Sequence, residues 1–209
     1  MSETLESRLA VGAKALGIAL EPPQTAALLA LVAELAEWNT RFNLTGIREP
    51  AEVVDKHLLD SLAVLPHLRG LRIADIGTGA GFPGLPLAIV SPNRRFTLVE
   101  STGKKAGFLR HVVGKLRLAN VEVVLGRSEA MRPPRPFDSV VARALGSLAD
   151  FVRMAGHLAG RNGRLLAMKG RLPKDELKVL PAGWKAVAVH PIRVPGLDAE
   201  RCLVELARV

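Results

Sequence analysis

The rhythm of apolar and polar positions changes near residue 70. Before that point apolar residues recur every three or four positions, the period of an amphipathic helix. Leu5, Leu9, Ala13 and Leu16 set one such stripe and predict a helix over 3–20. Pro22-Pro23 breaks it and can start the next helix. Leu28, Leu31, Val32, Leu35 and Trp38 share a face from Gln24 to Phe42. Asn43-Leu44-Thr45-Gly46 is a turn-rich stop, and Pro50 opens a third helix to about Leu65, with Val54, Leu58, Leu62 and Leu65 inward.

From Leu71 short apolar runs alternate with helical stripes. Strands are predicted near 71–76, 96–100, 121–125, 137–142 and 163–168, and helices near 83–90, 102–117 and 147–158. Such alternation predicts an α/β domain, its mostly parallel sheet covered by helices on both faces. The tail differs. Trp184–His190 and Arg201–Ala207 read as strands joined by a loop containing Pro191, Pro195 and Gly196, hence as a C-terminal antiparallel strand pair. The organisation expected is a helical N-terminal extension, 1–66, packed on a core, 67–209, as one compact unit.

Asp75-Ile76-Gly77-Thr78-Gly79-Ala80-Gly81 closes the first strand of this core. Alternate glycines permit a tight turn and leave no side chain between backbone and ligand. The helix that follows aims its first amides at that ligand. The second strand ends in Glu100, and an acid there suits the two hydroxyls of a ribose. A nucleoside cofactor is the expectation. Gly79, Gly81 and Gly84 also fit the dinucleotide fingerprint. However, Asp75 through Gly81 resembles motif I of the class I S-adenosylmethionine (AdoMet) methyltransferases, and Pro83 and Pro86 leave less reason to expect a pyrophosphate cradle.

In open parallel sheets ligands bind beyond the carboxyl ends of the strands. Besides Asp75, Gly77 and Glu100, those ends carry Ser128 and Glu129 after the third strand, Arg143 after the fourth and Lys169 after the fifth. Ser128-Glu129 could hydrogen-bond an adenine amino group or form a plain surface turn. Arg143 follows Val140-Val141-Ala142, where an unpaired charge is costly to bury. It could pair with Asp75 or Glu129, or reach a substrate phosphate. Lys104, Lys105 and Arg110 sit on the predicted helix 102–117; the two lysines stand at its start, against the helix dipole, which hints at substrate contact, although a solvated face is the ordinary reading of any one such lysine.

Charge adds a partner class. The 209 residues hold 29 Lys and Arg against 20 Asp and Glu, a formal +9, which suits a polyanion. Charge alone does not separate RNA from DNA or from an acidic protein, and with aromatic residues at 4% and no tyrosine extensive base stacking is not expected. No apolar run approaches the ~20 residues of a membrane span, and Met1 to Arg8 is not a secretory signal. The single cysteine, Cys202, excludes an internal disulfide and suggests a reducing cytosol, so a cytoplasmic location is expected. Five scattered histidines lack metal-ligand spacing, so no metal is expected.

Several segments together bring a family into view: Trp38-Asn39, Phe42 to Thr45, His57-Leu58-Leu59-Asp60-Ser61, Asp75 to Gly84 with Pro86, Ser101 to Lys105 with Phe108-Leu109, Phe137 to Ala144, and Met168-Lys169-Gly170. From about residue 24 to the C-terminus the chain resembles the RsmG (GidB) family of bacterial 16S rRNA guanine-N7 methyltransferases. The resemblance implies a Rossmann-like class I methyltransferase fold, S-adenosyl-L-methionine as cofactor, and contacts to it at Gly77, Phe82, Ser128, Glu129 and Arg143, with Glu100 matching the family's acid after strand two. Asp75, Gly79 and Gly81 complete the expected cofactor set. Arg143 is the expected catalytic residue, and Lys104, Lys105, Arg110 and Lys169 the expected RNA contacts. The implied partner is 16S rRNA or a small-subunit particle, the implied target a guanine in the 530 loop, and a monomer is expected. Two rivals stand beside this reading: an NAD-dependent oxidoreductase using the same glycines, and a non-catalytic RNA-binding assembly factor with a relict site.

Overall fold

The computed structural model describes residues 3–209. α1 (Leu5–Ala15) is capped by Thr4, whose hydroxyl accepts the Ser7 amide. It stops well short of the stripe that predicted it. The Ile18 amide donates to the Ala13 carbonyl and the Gly17 amide to Lys14, with Gly17 at φ +73°. This glycine-closed ending overrides the apolar Leu16, Ile18 and Leu20 beyond it. α2 (Pro22–Asn39) begins with Pro22 and a capping box between Glu21 and Gln24. α3 (Pro50–Val53) passes through a π-helical stretch, Val54–Leu59, into α4 (Asp60–Leu62). The predicted third helix is therefore present but locally unwound, a feature that often marks function.

The core follows as β1 (Arg72–Ile76), α5 (Gly84–Val90), β2 (Arg95–Glu100), α6 (Gly103–Lys115), β3 (Val121–Leu125), β4 (Phe137–Arg143), α7 (Leu148–Ala155), β5 (Ala159–Lys169), α8 (Lys174–Lys178), β6 (Trp184–Ile192) and β7 (Arg201–Arg208). β5 begins earlier than its apolar run because its first residue, Ala159, pairs with Phe137. The short α8 carries no sequence stripe and was not expected. Among the described residues the strands form one sheet in the order β3-β2-β1-β4-β5-β7-β6. The first five run parallel, and β7 is antiparallel to both β5 and β6.

Successive strand residues point to opposite faces. Ile73, Leu98, Val141 and Leu166 face a layer that includes Leu9, Leu28, Leu58, Leu85 and Phe108. The N-terminal helices thus share a core with α5 and α6. Ala74, Val99, Val140 and Leu165 face the other way, onto Leu148, Phe151, Val152 and Ala155 of α7. The strand order reverses between β1 and β4, so the carboxyl ends of these strands flank the crevice where open α/β sheets bind ligands.

Candidate active site

At the end of β1 the chain folds back on itself. The Gly77 and Thr78 amides both donate to the Val99 carbonyl, at 2.9 and 3.2 Å. Gly77 and Gly79 hold φ of +64° and +62°, a region costly for other residues. A side chain at Gly77 would begin 2.8 Å from Leu145 Cδ1, whereas at Gly79 nothing lies closer than 4.0 Å. Gly79 therefore leaves its backbone open to the adjoining cavity. Gly81 is different: a Cβ there would meet Leu85 and Leu109, so its bareness serves helix packing.

Asp75 lies beneath this loop with no exposed surface. Its Oδ2 accepts the Thr78 hydroxyl at 2.5 Å and the Gly84 amide at 2.7 Å, while Oδ1 has no partner. Burial pushes its carboxyl up to about 6. Asp75, one of the expected cofactor residues, fastens the loop and the first turn of α5 through Oδ2. Glu100 is also already engaged. Oε2 accepts the Gly79 amide at 2.9 Å and Oε1 the Thr102 amide at 2.8 Å. Each oxygen keeps a second acceptor direction for a ribose hydroxyl.

β4 delivers Arg143 to the same crevice. Its Nη1 lies 3.3 Å from Asp60 Oδ2, 3.1 Å from the Lys56 carbonyl and 3.2 Å from His57 Nδ1. The carboxylate partner is thus Asp60 at the start of α4, and neither Asp75 nor Glu129, two of the partners open to it from sequence. The guanidinium also lies over the Phe82 ring, 5.5 Å from its centroid, and His57 stacks on that ring at 4.5 Å and 19°. His57 Nε2 sits 2.9 Å from the Thr45 hydroxyl. Burial, and then the nearby Arg143 charge, pull His57 down to about 4, so the ring is neutral at pH 7. Ala144, next to Arg143, adopts φ +58°, an uncommon backbone for a residue with a Cβ.

These groups enclose a cavity of about 180 Å³ bordered by Gly77, Gly79, Phe82, His57, Arg143 and Ala144. A second cavity, of about 580 Å³, shares His57, Arg143 and Ala144 with it and adds Lys56, Asp60, Lys169 and Arg201. A larger one of about 930 Å³ lies further along, under the β6–β7 connection, and touches none of the glycine-loop residues. Sequence reasoning passed over His57 and Asp60 as site residues. The signal for them was a run of polar residues, Asp55, His57, Asp60 and Ser61, set among Val53, Val54, Leu58, Leu59 and Leu62 and all buried.

The remaining candidates divide. Ser128 is buried in a 3-10 turn after β3 and donates to Glu129 Oε2 at 3.1 Å, while the Gly126 amide ties that turn to the Glu100 carbonyl. Glu129 is exposed, and a hydrogen bond with its own backbone, aided by Ser128, holds its carboxyl below the usual range. Lys104 and Arg110 are exposed on α6 and Lys105 is half-buried. The Lys104 ammonium stands 5.9 Å from the Phe42 ring centroid. Lys169 is not a free cation: it bonds Glu176 at 2.8 Å and the Gly146 carbonyl at 2.7 Å. Cys202 is buried, with its thiol pushed up by burial, and does not border the glycine-loop cavity. Among the described residues no group of three His, Cys, Asp or Glu could hold a metal ion.

Known proteins resemble this chain in sequence and fold. The chain is 50% identical over 202 residues to the ribosomal RNA small subunit methyltransferase G of Azoarcus sp. (strain BH72), covering 96% of this chain and 95% of that one. It is 48% identical over 201 residues to the protein of the same name from Pseudomonas paraeruginosa, covering 96% and 94%. A SAM-dependent methyltransferase from Aquifex aeolicus has a similar fold at TM-score 0.55 and 20% identity, over 76% of this chain and 93% of that one. The sequence profile of GidB, described as rRNA small subunit methyltransferase G, matches residues 24–204, and the chain belongs to that family.

Proposed function

We propose that this protein transfers a methyl group from AdoMet to N7 of a guanine in the 530 loop of bacterial 16S rRNA. The observation that supports the methyl-transfer reading is the Gly79 amide donating to Glu100 Oε2, which sets an acid suited to a ribose beside the open glycine backbone that borders the cavity. The cradle fits a nucleoside cofactor, because Gly77 and Gly79 present bare backbone to the cavity and Glu100 keeps free acceptor directions. Gly77, Gly79 and Glu100 would hold AdoMet, with Ser128 and Glu129 at the adenine end. Bound there, AdoMet supplies an electrophilic sulfonium methyl group.

Guanine N7 has a free lone pair at neutral pH and needs no general base. The site agrees with that demand. His57 is neutral, but both ring nitrogens are occupied, Nε2 by the Thr45 hydroxyl and Nδ1 by Arg143 Nη1. Ala142-Arg143-Ala144 stands where exocyclic-amine methyltransferases carry Asn/Asp-Pro-Pro-Tyr/Phe. The chain's work is then to position and align, which can account for most of a large acceleration. Arg143 is fixed by three acceptors and by Phe82, so it orients the substrate strand without moving. Lys104, Lys105 and Arg110 form an outer cationic rim, and a monomer suffices because one chain supplies the whole crevice.

The oxidoreductase reading has no hydride-transfer acid to work with, since the acids of the crevice, Asp75, Glu100 and Asp60, are all bonded to the protein itself. The test is methyl transfer from labelled AdoMet to rRNA lacking the modification, as naked RNA and as a small-subunit particle, followed by mapping of the methylated base. Label at N7 of one 530-loop guanine is expected. Label elsewhere overturns the target, and no label on either substrate overturns the activity.

A further inference from the structure

Two arginines from distant parts of the chain share one buried carboxylate beside the glycine-loop cavity. Arg143 ends β4, Arg201 opens β7 and Asp60 opens α4. Asp60 Oδ2 lies 3.3 Å from Arg143 Nη1, and Asp60 Oδ1 lies 3.2 Å from Arg201 Nε. Asp60 is 3% exposed, while the arginine side chains keep 24% and 29% of their surface. Two permanently charged guanidiniums on one carboxylate leave a formal excess of one positive charge. The other cations of the cavity do not add to it, because Lys169 is matched by Glu176 and Lys56 by Glu52.

The donor inventory points the same way. A guanidinium carries five N–H donors. Arg143 spends Nη1 on Asp60, His57 and the Lys56 carbonyl. Arg201 spends Nε on Asp60 and Nη1 on the Glu200 carbonyl. Arg143 Nε and Nη2 and Arg201 Nη2 have no acceptor among the described residues. Both side chains border the 580 Å³ cavity, which also contains His57 and Ala144 of the glycine-loop cavity. A partly enclosed site with unspent, fork-shaped donors and surplus positive charge is suited to a tetrahedral oxyanion.

We infer that this cavity seats one backbone phosphate of the RNA strand that carries the methyl acceptor, held by Arg143 and Arg201, with Asp60 as the positioning residue that aims both. The inference rests on the rRNA methyltransferase reading above and names the substrate subsite within it. Phosphate contacts fix register and orientation and carry no base identity. A phosphate anchored one cavity away from the glycine loop would set how far the acceptor base reaches toward the transferred methyl. The cofactor's own carboxylate is the other anion that could enter, so the experiment separates the two.

The experiment is a cycle between protein and substrate. Wild type, Arg201→Gln and Asp60→Asn are each assayed on a short rRNA hairpin and on hairpins carrying a single neutral methylphosphonate at successive positions around the acceptor. AdoMet affinity is measured by calorimetry alongside, and folding by thermal melts. At one position the neutral linkage should lower wild-type kcat/KM roughly tenfold or more, the usual cost of a charged hydrogen bond. Arg201→Gln should lose part of that factor on the natural hairpin and lose clearly less than wild type when that position is neutral, Arg143 alone remaining on the phosphate, with AdoMet affinity unchanged. Asp60→Asn should lose the same sensitivity, and Asp60→Glu should restore part of it. Since Arg201 is part-exposed at a strand start, Arg201→Gln should melt close to wild type. Additive losses at every position overturn the phosphate seat, and a weakened AdoMet affinity reassigns the anion to the cofactor. If wild type methylates no hairpin and no natural rRNA, the activity reading itself falls, which is a different outcome from active wild type with additive losses.

Discussion

Glu100 Oε2 accepts the Gly79 amide at 2.9 Å, so the acid that ends β2 holds the glycine loop that follows β1. The residue expected to grip a ribose also builds the cradle around it. Glu100→Ala should therefore weaken AdoMet more than the loss of one contact, by well over tenfold. Glu100→Gln, which keeps an acceptor for one amide, should fall between. Calorimetry on both variants is the check, and equal affinities for wild type and alanine would remove Glu100 from the site.

Asp75 makes the fold sensitive to pH in an unusual direction. Its folded pKa, about 6, lies above the ordinary 3.8 because burial disfavours the charge. A raised carboxyl stabilises the fold fully below its unfolded pKa, and that contribution is lost as pH rises through the folded value. Two pKa units correspond to about 3 kcal/mol. The stability of wild type relative to Asp75→Asn should thus decline between about pH 4 and 6 and level off above. Urea melts of the two proteins across that range test it, and a constant difference would mean that Asp75 titrates normally.

Legibility from sequence followed the range of the interaction. The β1 turn was readable because Gly77, Gly79 and the apolar Ile73–Ile76 are local signals, and alternate strands and helices sufficed for the sheet. The two-faced core, Ile73 one way and Ala74 the other, follows from the pleat alone. Arg143 was readable as a costly charge after Val140 and Val141, but its partners were not. His57 lies 86 positions away and Asp60 83, and no periodicity connects them. Lys169 looked like a free cation for RNA because Glu176 sits on a helix too short to leave a stripe. Gly17 ended α1 where an apolar stripe continued, a case of local backbone geometry prevailing over pattern.

His57 is set as a neutral scaffold and not as a base. Its folded value near 4 is depressed from 6.5 by burial and Arg143. Stability from this group is present above its unfolded pKa and lost as pH falls through about 4. The methylation rate should accordingly show no ascending limb between about pH 6.5 and 8.5, since neither His57 nor guanine N7 changes protonation there. A single-turnover profile rising through that window would reveal a titrating base.

The outer rim can be weighed by salt. Lys104 and Lys105 stand at the start of α6, just beyond Glu100, and Lys104 is steadied over Phe42. Each phosphate neutralised on a single strand contributes about 0.7 to the slope of log affinity against log salt. A Lys104→Ala, Lys105→Ala double variant should bind rRNA with a slope shallower by roughly 1 to 1.5 while AdoMet affinity holds. Filter binding at several salt concentrations decides it, and an unchanged slope would move the RNA path toward the N-terminal helices.

Arg143 is where fold and chemistry compete for one side chain. Asp60 would not be stranded by its loss, because Arg201 remains on Oδ1 at 3.2 Å. Removing one partner of a buried pair usually costs ~3–5 kcal/mol because a charge is left alone; here the second arginine keeps the carboxylate paired, so Arg143→Ala should lower the melting temperature only modestly. Arg143→Lys keeps the charge but cannot reproduce the fork that meets Lys56, His57 and Asp60 together, nor lie flat over Phe82. A misplacement of ~1 Å can cost about a hundredfold in rate. Arg143→Lys should therefore melt near wild type while single-turnover methyl transfer falls by well over tenfold, with AdoMet affinity changing far less. A lysine variant with near-normal turnover would reduce Arg143 to a simple charge, and a melting temperature that collapses in step with activity would make it a strut of the fold.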